Sequence, residues 1–281
     1  MRGSDPVSRL GLVAGCGSLP SEAARLLRAS RTVCAIAFEG LTDPALAGEV
    51  DDVRWHRLGQ LEAAAASLRS MAVQQILLVG AIPKQVIFDG PGRLEPDPTA
   101  SALIGNLAGW SDDALFSALA AWLEGLDFVI RRQDHLLEEL LAPEGPWASR
   151  ALDSNEEADL VVGRRALAGL GAAGIGQCVV VRHGCVVAVE GAEGTDAAIR
   201  RAGDVAGAGA TVVKGLRPDQ DRRFDLPAVG PGTIAAMVEA HARCLAVEAG
   251  ATLILDRPAA RAGADQAGIA CIGFAPDRVA S

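Results

Sequence analysis

The sequence predicts an α/β fold of two domains, a Rossmann-like N-terminal parallel sheet with helices and a C-terminal mixed α/β domain. Apolar runs alternate with helical patterns through the first half, which is typical of a parallel sheet. The second half contains a hairpin signal, which indicates antiparallel strands. The 281 residues, 50% of them hydrophobic, are enough for two cores. We predict an N-terminal domain over residues 1–132 and a C-terminal catalytic domain over residues 133–281.

The composition excludes several classes of protein. Aromatic residues make up 4% of the chain and Tyr is absent, so Val, Leu, Ile and Ala must fill the cores. The net charge of −9 argues against nonspecific binding to nucleic acid. The six cysteines are scattered in apolar segments, which predicts reduced core residues of a cytosolic protein and no zinc site. No apolar run approaches the roughly 20 residues of a membrane span, although peripheral contact with a membrane stays open.

The first strand leads into a glycine turn. Leu10–Ala14 is followed by Gly15-Cys-Gly-Ser-Leu-Pro20 and then by a helical pattern from Ser21 to Arg28. Backbone N–H groups of such a turn can receive a phosphate, which makes Gly15, Gly17 and Ser18 candidate substrate contacts. An ordinary tight turn is the alternative. The third glycine of a dinucleotide fingerprint is missing, and the second strand is interpreted as ending without an acid, so we expect no standard NAD site.

A second turn follows the buried strand Gln75–Val79 and reads Gly80-Ala-Ile-Pro-Lys84. Strands at 32–38 and 51–58 and a helix at 60–71 precede it, so the strands are expected to be parallel. Their carboxyl ends then share one edge, which places Gly80 and Ala81 in the same crevice as the first turn. Lys84 is a candidate phosphate contact or an exposed loop lysine.

Ser111-Asp-Asp113 begins a helix at 114–123, in which Asp112 is either a cap and dipole partner or a substrate contact. A strand at 128–131 and a helix at 133–141 complete this part of the chain.

The second half begins with a helix over 155–167 that Ser154 is expected to cap. Strands at 175–182 and 185–190 flank His183-Gly184, which predicts a hairpin. Glu190 ends the second of these strands before a glycine-rich helix start at Thr195 and Asp196. This carboxylate either binds a metal or a sugar hydroxyl, or is a plain acid at a strand end.

The loop from Lys214 to Thr233 concentrates charge. A strand at 211–214 delivers Lys214 into it, and a helix over 233–244 follows it. A solvated loop is the alternative reading, but mixed charges between Pro218, Pro227 and Pro231 can hold a divalent metal and an anion together. Carboxylates with basic companions suit metal-assisted attack of water on phosphorus, and we find no Gly-x-Ser-x-Gly motif or full P-loop.

Several motifs carry a resemblance to a known family. They are Ala14-Gly-Cys-Gly-Ser-Leu-Pro20, Ser111-Asp-Asp-Ala-Leu115, Gly176-Gln-Cys-Val-Val-Val181, Val189-Glu-Gly-Ala-Glu-Gly-Thr-Asp196 and Gln220-Asp-Arg-Arg-Phe-Asp-Leu-Pro-Ala-Val-Gly-Pro231. From about Leu10 to Phe274 the chain resembles the LpxI-type UDP-2,3-diacylglucosamine pyrophosphatases.

The resemblance implies a metal-dependent enzyme of lipid A biosynthesis that hydrolyses UDP-2,3-diacylglucosamine to UMP and 2,3-diacylglucosamine 1-phosphate (lipid X). It implies a substrate held in a cleft between two domains, a cytoplasmic location at the inner membrane of a Gram-negative bacterium, and a possible homodimer. It also favours attack on the sugar-side phosphorus.

Within this resemblance the catalytic acid is Asp225, although Cys16 and Ser111 stand where we expect glycines. Asp225 is expected to bind or orient Mg²⁺, or another divalent cation such as Mn²⁺, together with the attacking water. Three acids are candidates to complete the metal site: Glu190, Asp219 and Asp221. Further predicted substrate contacts are Gln177, Thr195, Asp196, Lys214, Gln220, Arg222 and Arg223, the basic ones holding phosphate. A sensor that binds a nucleotide sugar or lipid without turnover is the alternative function, and a scaffold with a solvated loop is a third.

Overall fold

The computed structural model describes residues 9–83, 96–107, 109, 111–218 and 220–276, with only the backbone at 112 and 113. The chain divides into two compact units. The first comprises Met1–Leu137 and Asp221–Asp225, and the second comprises Glu138–Gln220 and Leu226–Ser281. A segment of five residues from the charged loop therefore belongs to the N-terminal unit, an assignment that the sequence pattern did not indicate.

The first unit contains a five-stranded parallel sheet in the order β3-β2-β1-β4-β5. Its strands are β1 (Arg9–Ala14), β2 (Thr32–Phe38), β3 (Asp52–His56), β4 (Gln75–Val79) and β5 (Val129–Ile130). This confirms the parallel N-terminal sheet. The chain reverses its direction of travel across the sheet between β1 and β4, the place where open parallel sheets usually have their ligand crevice.

Five helices of the first unit are described, and their starts follow local chemistry. They are α1 (Leu19–Arg28), α2 (Leu61–Ser70), α3 (Pro98–Gly105), α4 (Asp112–Glu124) and α5 (Gln133–Leu136). Proline occupies the first turn of α1 and α3, where a missing N–H costs nothing. The Ser111 side chain accepts a hydrogen bond from Ala114 N–H at the start of α4.

The second unit contains a six-stranded mixed sheet in the order β6-β13-β11-β9-β7-β8. The strands are β6 (Gly145–Pro146), β7 (Cys178–Arg182), β8 (Cys185–Val189), β9 (Thr211–Lys214), β11 (Cys244–Glu248) and β13 (Ala270–Phe274). A parallel pair lies apart from it and consists of β10 (Ala228–Val229) and β12 (Leu253–Ile254). The antiparallel pairing of β7 with β8 confirms the predicted hairpin and the mixed character of this domain.

Four helices accompany this sheet: α6 (Ser154–Ala172), α7 (Thr195–Ala206), α8 (Pro231–Glu239) and α9 (Arg257–Ala267). The prediction that Ser154 caps the first of them is wrong. Asp153 occupies the cap and forms a capping box with Glu156, because its carboxylate accepts from the N–H groups of Asn155 and Glu156. The helix expected over 233–244 begins and ends earlier, since Pro231 suits a first turn.

Two further predictions need correction. An acid does stand at the end of the second strand, since Glu39 directly follows β2 and donates its N–H to His56 O. The cysteines are not all core residues, because Cys185 is exposed and Cys16 is half-buried. Within the described ranges no helix is long and apolar enough to cross a membrane.

Candidate functional site

The segment Asp221–Asp225 is anchored in the first unit by its aromatic residue. Phe224 is 1% exposed and belongs to the same apolar core as strands β2 and β4. Its ring stacks on Phe116 of α4 with centroids 5.3 Å apart and planes 25° apart. The backbone adds a bond from Gln133 N–H to Arg222 O of 2.9 Å. These contacts hold the segment in one place.

Arg222 and Arg132 share one buried carboxylate. Asp134, whose side chain is 8% exposed, accepts from Arg132 Nε at 2.9 Å and Nη2 at 2.6 Å, and from Arg222 Nη1 at 3.2 Å. Burial acts to raise the pKa of Asp134, but the hydrogen bonds from the two arginines outweigh it and lower the pKa below its ordinary value. The hydrogen bond to Asp134 raises the pKa of Arg132. Both arginines therefore bind the same buried carboxylate.

Arg223 forms a second cluster next to the first, in which one arginine pairs with two acids. Its Nε lies 2.8 Å and its Nη2 2.7 Å from Asp221 Oδ2, and Nη1 lies 2.6 Å from Glu124 Oε1. Burial acts to raise the pKa of Asp221, and the bonds from Arg223 overcome it, so that the pKa is lowered. The hydrogen bond to Asp221 raises the pKa of Arg223. The predicted role of Arg223 as a phosphate ligand stays a prediction, and here its side chain pairs with two acids.

Asp225 is the last residue of the segment and has an unusual backbone. Its φ angle of 55° lies in the left-handed region, which few residues other than glycine adopt, although Asp tolerates it better than most. The residue is half-buried, between fully buried and open to solvent. Such conformations concentrate at functional sites, but Asp127 and Asp256 share this one, so the catalytic role of Asp225 stays a prediction.

A second polar network lies in the second unit and joins four predicted residues. Thr195 donates its hydroxyl to Glu190 Oε1 at 2.7 Å, and Lys214 Nζ donates to Thr195 Oγ1 at 2.7 Å and to Ala228 O at 2.9 Å. Gln177 N–H donates to Glu190 Oε2 at 3.2 Å. Lys214 is 7% exposed, so burial strengthens these interactions. The charged loop therefore begins at Lys214, whose ammonium group is held by this network.

The remaining predicted contacts of the second unit flank this network. Asp196 lies in the first turn of α7 and is half-buried. Gln220 is 8% exposed, and its Oε1 accepts from Arg217 N–H at 3.2 Å. Their roles as substrate contacts stay predictions.

The two glycine turns of the first unit are hydrogen-bonded to each other. Cys16 N–H donates to Ala81 O at 2.9 Å, and Ala81 N–H donates to Cys16 O at 3.2 Å. A Cβ atom on Gly15 would lie 2.5 Å from Ala81 O, so only glycine fits there. Gly17 and Gly80 have φ angles of 90° and 84°. The predicted contacts Gly15, Gly17, Gly80 and Ala81 thus lie together at the carboxyl edge of the sheet, and Ser18 follows them at the start of α1 without a side-chain cap bond.

An apolar cavity of about 100 Å³ lies beside these turns in the first unit. Its wall combines Gly15 and Gly80 with apolar side chains of the sheet and of α3 and α4. Among them are Val13, Phe38, Leu78, Leu103, Phe116 and Leu119. The crevice at which a dinucleotide fold would bind phosphates is therefore apolar in this protein.

Two of the carboxylates predicted to hold a metal, Glu190 and Asp221, have protein partners. Both oxygens of Glu190 accept hydrogen bonds, and both oxygens of Asp221 accept from Arg223. Among the described side chains, no group of three or more His, Cys, Asp or Glu is arranged to hold a metal ion. A cation ligated by a single protein carboxylate is compatible with this arrangement, because Mg²⁺ commonly takes one or two carboxylates and completes its shell with water and substrate phosphates. The predicted role of Asp225 as a metal ligand stays a prediction.

Three predicted residues cannot be placed. Lys84 and Asp219 lie outside the described residues, as does the side chain of Asp112. Sequence reasoning missed Arg132 and Asp134. Arg132 directly precedes the short helix α5, and Asp134 lies in its first turn. The only signal for them was an Arg-x-Asp spacing, which is common in exposed ion pairs.

The fold and the site define a class: a two-domain α/β protein that gathers acidic and basic side chains on a structured loop. Family models then identify it. The LpxI N-terminal domain model matches residues 9–140, and the LpxI C-terminal domain model matches residues 143–272. The chain belongs to the LpxI family.

A relative from Caulobacter vibrioides is named UDP-2,3-diacylglucosamine pyrophosphatase LpxI. It is 30% identical over 281 residues, with 95% of this chain and 98% of the relative covered.

Two solved structures are weakly similar to this chain. A glycinamide-RNase-transformylase T from Mycobacterium tuberculosis has a TM-score of 0.23 at 18% identity, covering 65% of this chain and 44% of the other. A biotin carboxylase complex from Campylobacter jejuni has a TM-score of 0.21 at 13% identity, covering 72% and 42%. These scores support no argument about fold or function.

Proposed function

We propose that this protein hydrolyses the diphosphate bond of UDP-2,3-diacylglucosamine, giving UMP and 2,3-diacylglucosamine 1-phosphate for lipid A biosynthesis. The observation that carries the proposal is the conformation of Asp225, a left-handed, half-buried carboxylate on a segment fixed by Phe224. This is the acid that the sequence motif assigns to catalysis. The membership of this chain in the LpxI family supports the choice of substrate.

Asp225 is proposed to orient the attacking water and accept its proton. A carboxylate is a suitable general base when it is held within reach of the nucleophile, and the rigid backbone supplies that positioning. A divalent cation held by Asp225 and the substrate phosphates would neutralise charge on the diphosphate oxygens. Attack on the sugar-side phosphorus would leave UMP as the departing group. Arg222 is proposed to bind a phosphate through the donors of its guanidinium.

The acyl part of the substrate needs an apolar site, and we assign the end of one acyl chain to the cavity beside the glycine turns. Leu103 and Phe116 line it, and its wall is almost free of polar groups. Leu103→Trp should fill the cavity and raise the KM for the diacyl substrate. Ala102→Trp is the matched control, because Ala102 is exposed on the same helix. Equal KM values for the two variants would contradict the assignment.

The decisive experiment measures UMP release from UDP-2,3-diacylglucosamine by the purified protein and by Asp225→Asn, with Mg²⁺, with Mn²⁺ and with a chelator. Turnover by the wild type and a loss of roughly 100-fold or more in Asp225→Asn are expected. A variant that keeps full activity would refute the role of Asp225. Activity that persists in the chelator would refute the metal.

The same assay separates the proposed enzyme from a sensor, since both would bind the substrate and only the enzyme would release UMP. Membrane contact and dimerisation are also proposals. Co-sedimentation with anionic phospholipid vesicles tests membrane contact, and light scattering of the protein in solution tests dimerisation. Neither outcome alters the test of hydrolysis.

A further inference from the structure

A surface pocket of about 570 Å³ lies at the carboxyl ends of β2 and β3 in the first unit. Its wall consists of residues 39–44, which follow β2, and of Trp55 on β3. The volume falls within the range of about 300 to 1,000 Å³ that is usual for small-molecule sites. The candidate site described above uses none of these side chains.

The indole of Trp55 gives this pocket a flat wall. The residue is half-buried, and its neighbour His56 points to the other face of the sheet, where its Nε2 lies 3.0 Å from Ser67 Oγ of α2. In the described part of the chain, the Trp55 side chain has no aromatic stack, no cation–π contact and no hydrogen bond. An indole on a pocket wall suits the stacking of a planar ring, and nucleobases are commonly bound in this way.

Glu39 supplies a hydrogen-bond acceptor to the same pocket. Its Oε2 lies 3.9 Å from Arg57 Nε in an exposed ion pair, and its carboxylate accepts no hydrogen bond from the described residues. A carboxylate with both oxygens available can accept from two neighbouring hydroxyl groups. In open parallel sheets, an acid at the end of the second strand typically binds the ribose of a nucleotide.

The loop that carries Glu39 is fixed to the first strand. Thr42 is 4% exposed, and its Oγ1 donates to Ala14 O at 2.5 Å and accepts from Phe38 N–H at 2.9 Å. The second acid of the loop, Asp43, caps the short 3-10 helix that follows, so Glu39 is the acid that is available to a ligand. Because the first glycine turn begins at the end of the same strand β1, the pocket and this turn keep a fixed separation.

We propose that this pocket binds a ribonucleoside, with the ribose hydroxyls on Glu39 and the base on the indole of Trp55. The apolar cavity beside the glycine turns does not suit the second half of a dinucleotide, so the ligand is a mononucleotide. The uridine of the nucleotide sugar is one source of this ligand, an assignment that rests on the proposed function, and a separate ribonucleotide is the other. Both present the same ribose diol to Glu39.

The first test titrates the full-length protein with UMP and follows its indole N–H signals by NMR. The chain has four Trp residues, and the signal that disappears in Trp55→Phe identifies Trp55. UMP should shift this signal, and Glu39→Gln should raise the Kd for UMP roughly 10-fold, as expected for loss of a hydrogen bond to a charged group. Glu49→Gln is the matched control, because Glu49 pairs with Arg25 outside the pocket. Urea unfolding of each variant shows that it is folded.

The second test removes one hydroxyl from the ribose. The wild type should bind 2′-deoxy-UMP roughly 10-fold more weakly than UMP, whereas Glu39→Gln should bind the two nucleotides almost equally. Equal Kd values for the two nucleotides in the wild type would refute the pocket, as would a Trp55 signal that UMP does not move. A shift caused by glucosamine 1-phosphate and not by UMP would overturn the proposal in favour of a sugar site.

The last test separates the two sources of the ligand and the pocket from the proposed function. A preference for UMP over AMP, together with a raised KM of Glu39→Gln for UDP-2,3-diacylglucosamine, assigns the pocket to the uridine of the substrate. Nucleotide binding through Glu39 with an unchanged KM assigns it to a separate ribonucleotide. If the wild type binds UMP through Glu39 but does not hydrolyse the nucleotide sugar, the pocket stands and the proposed reaction is wrong. If hydrolysis occurs and no nucleotide moves the Trp55 signal, the reaction stands and the pocket is refuted.

Discussion

Replacement of Phe224 by alanine tests whether its ring anchors the catalytic segment. The side chain is 1% exposed and stacks on Phe116 at 5.3 Å, so the change removes a fully buried ring and leaves a cavity. Such substitutions lower the free energy of unfolding by about 3 to 5 kcal/mol. Phe224→Leu, which keeps most of the apolar volume and loses the stack, should cost about 1 to 1.5 kcal/mol.

The assay is urea unfolding combined with hydrogen exchange of backbone amides. Phe224→Ala should increase exchange in residues 221–225 and in the sheet of the first unit, and it should lower the rate of UMP release because Asp225 loses its fixed backbone. Amides in the strands of the second unit serve as the internal control. Wild-type stability and exchange in Phe224→Ala would show that the ring does not anchor the segment.

Three further predictions concern pH, packing and thiol chemistry. Folding lowers the pKa values of Asp134 and Asp221. The two carboxylates therefore stabilise the folded protein fully above about pH 4, the ordinary pKa of Asp, and this stabilisation is lost as the pH falls below that value. Asp134→Asn should make the free energy of unfolding fall less steeply at acid pH, and an unchanged acid dependence would contradict this. Gly15→Ala should destabilise the first unit in thermal unfolding, because the new Cβ would lie 2.5 Å from Ala81 O; an unchanged Tm would disprove the clash. Cys185 should react with a thiol reagent in the native protein, whereas burial raises the pKa of four buried cysteines that should stay protected until unfolding. Rapid labelling of all six would be inconsistent with the described burial. The protected residues are Cys34, Cys178, Cys244 and Cys271.

Local patterns predicted most of the fold. The strand Gln75–Val79 and the hairpin around His183-Gly184 are encoded by residues that are neighbours in sequence, so alternation and turn chemistry were sufficient. The cap of α6 was placed one residue late, because Asp153 and Ser154 are both good caps. Only the reciprocal bond from Glu156 decides between them.

The candidate site was less accessible from sequence. Asp225 and its neighbours were singled out by motif and charge, but their partners Asp134 and Glu124 are distant in the chain. Long-range pairing leaves no periodic signal in one sequence. The partners of Arg222 and Arg223 could therefore not be predicted, and neither could the left-handed conformation of Asp225.

The assignment of Asp221–Asp225 to the first unit has a consequence for synthesis on the ribosome. The core built from Met1–Leu137 lacks Phe224 until the chain has grown roughly 90 residues further, a delay of about 4 to 17 s at about 5 to 20 residues per second. An expression fragment that stops at Leu137 would lack both Phe224, a side chain of its core, and the proposed catalytic acid.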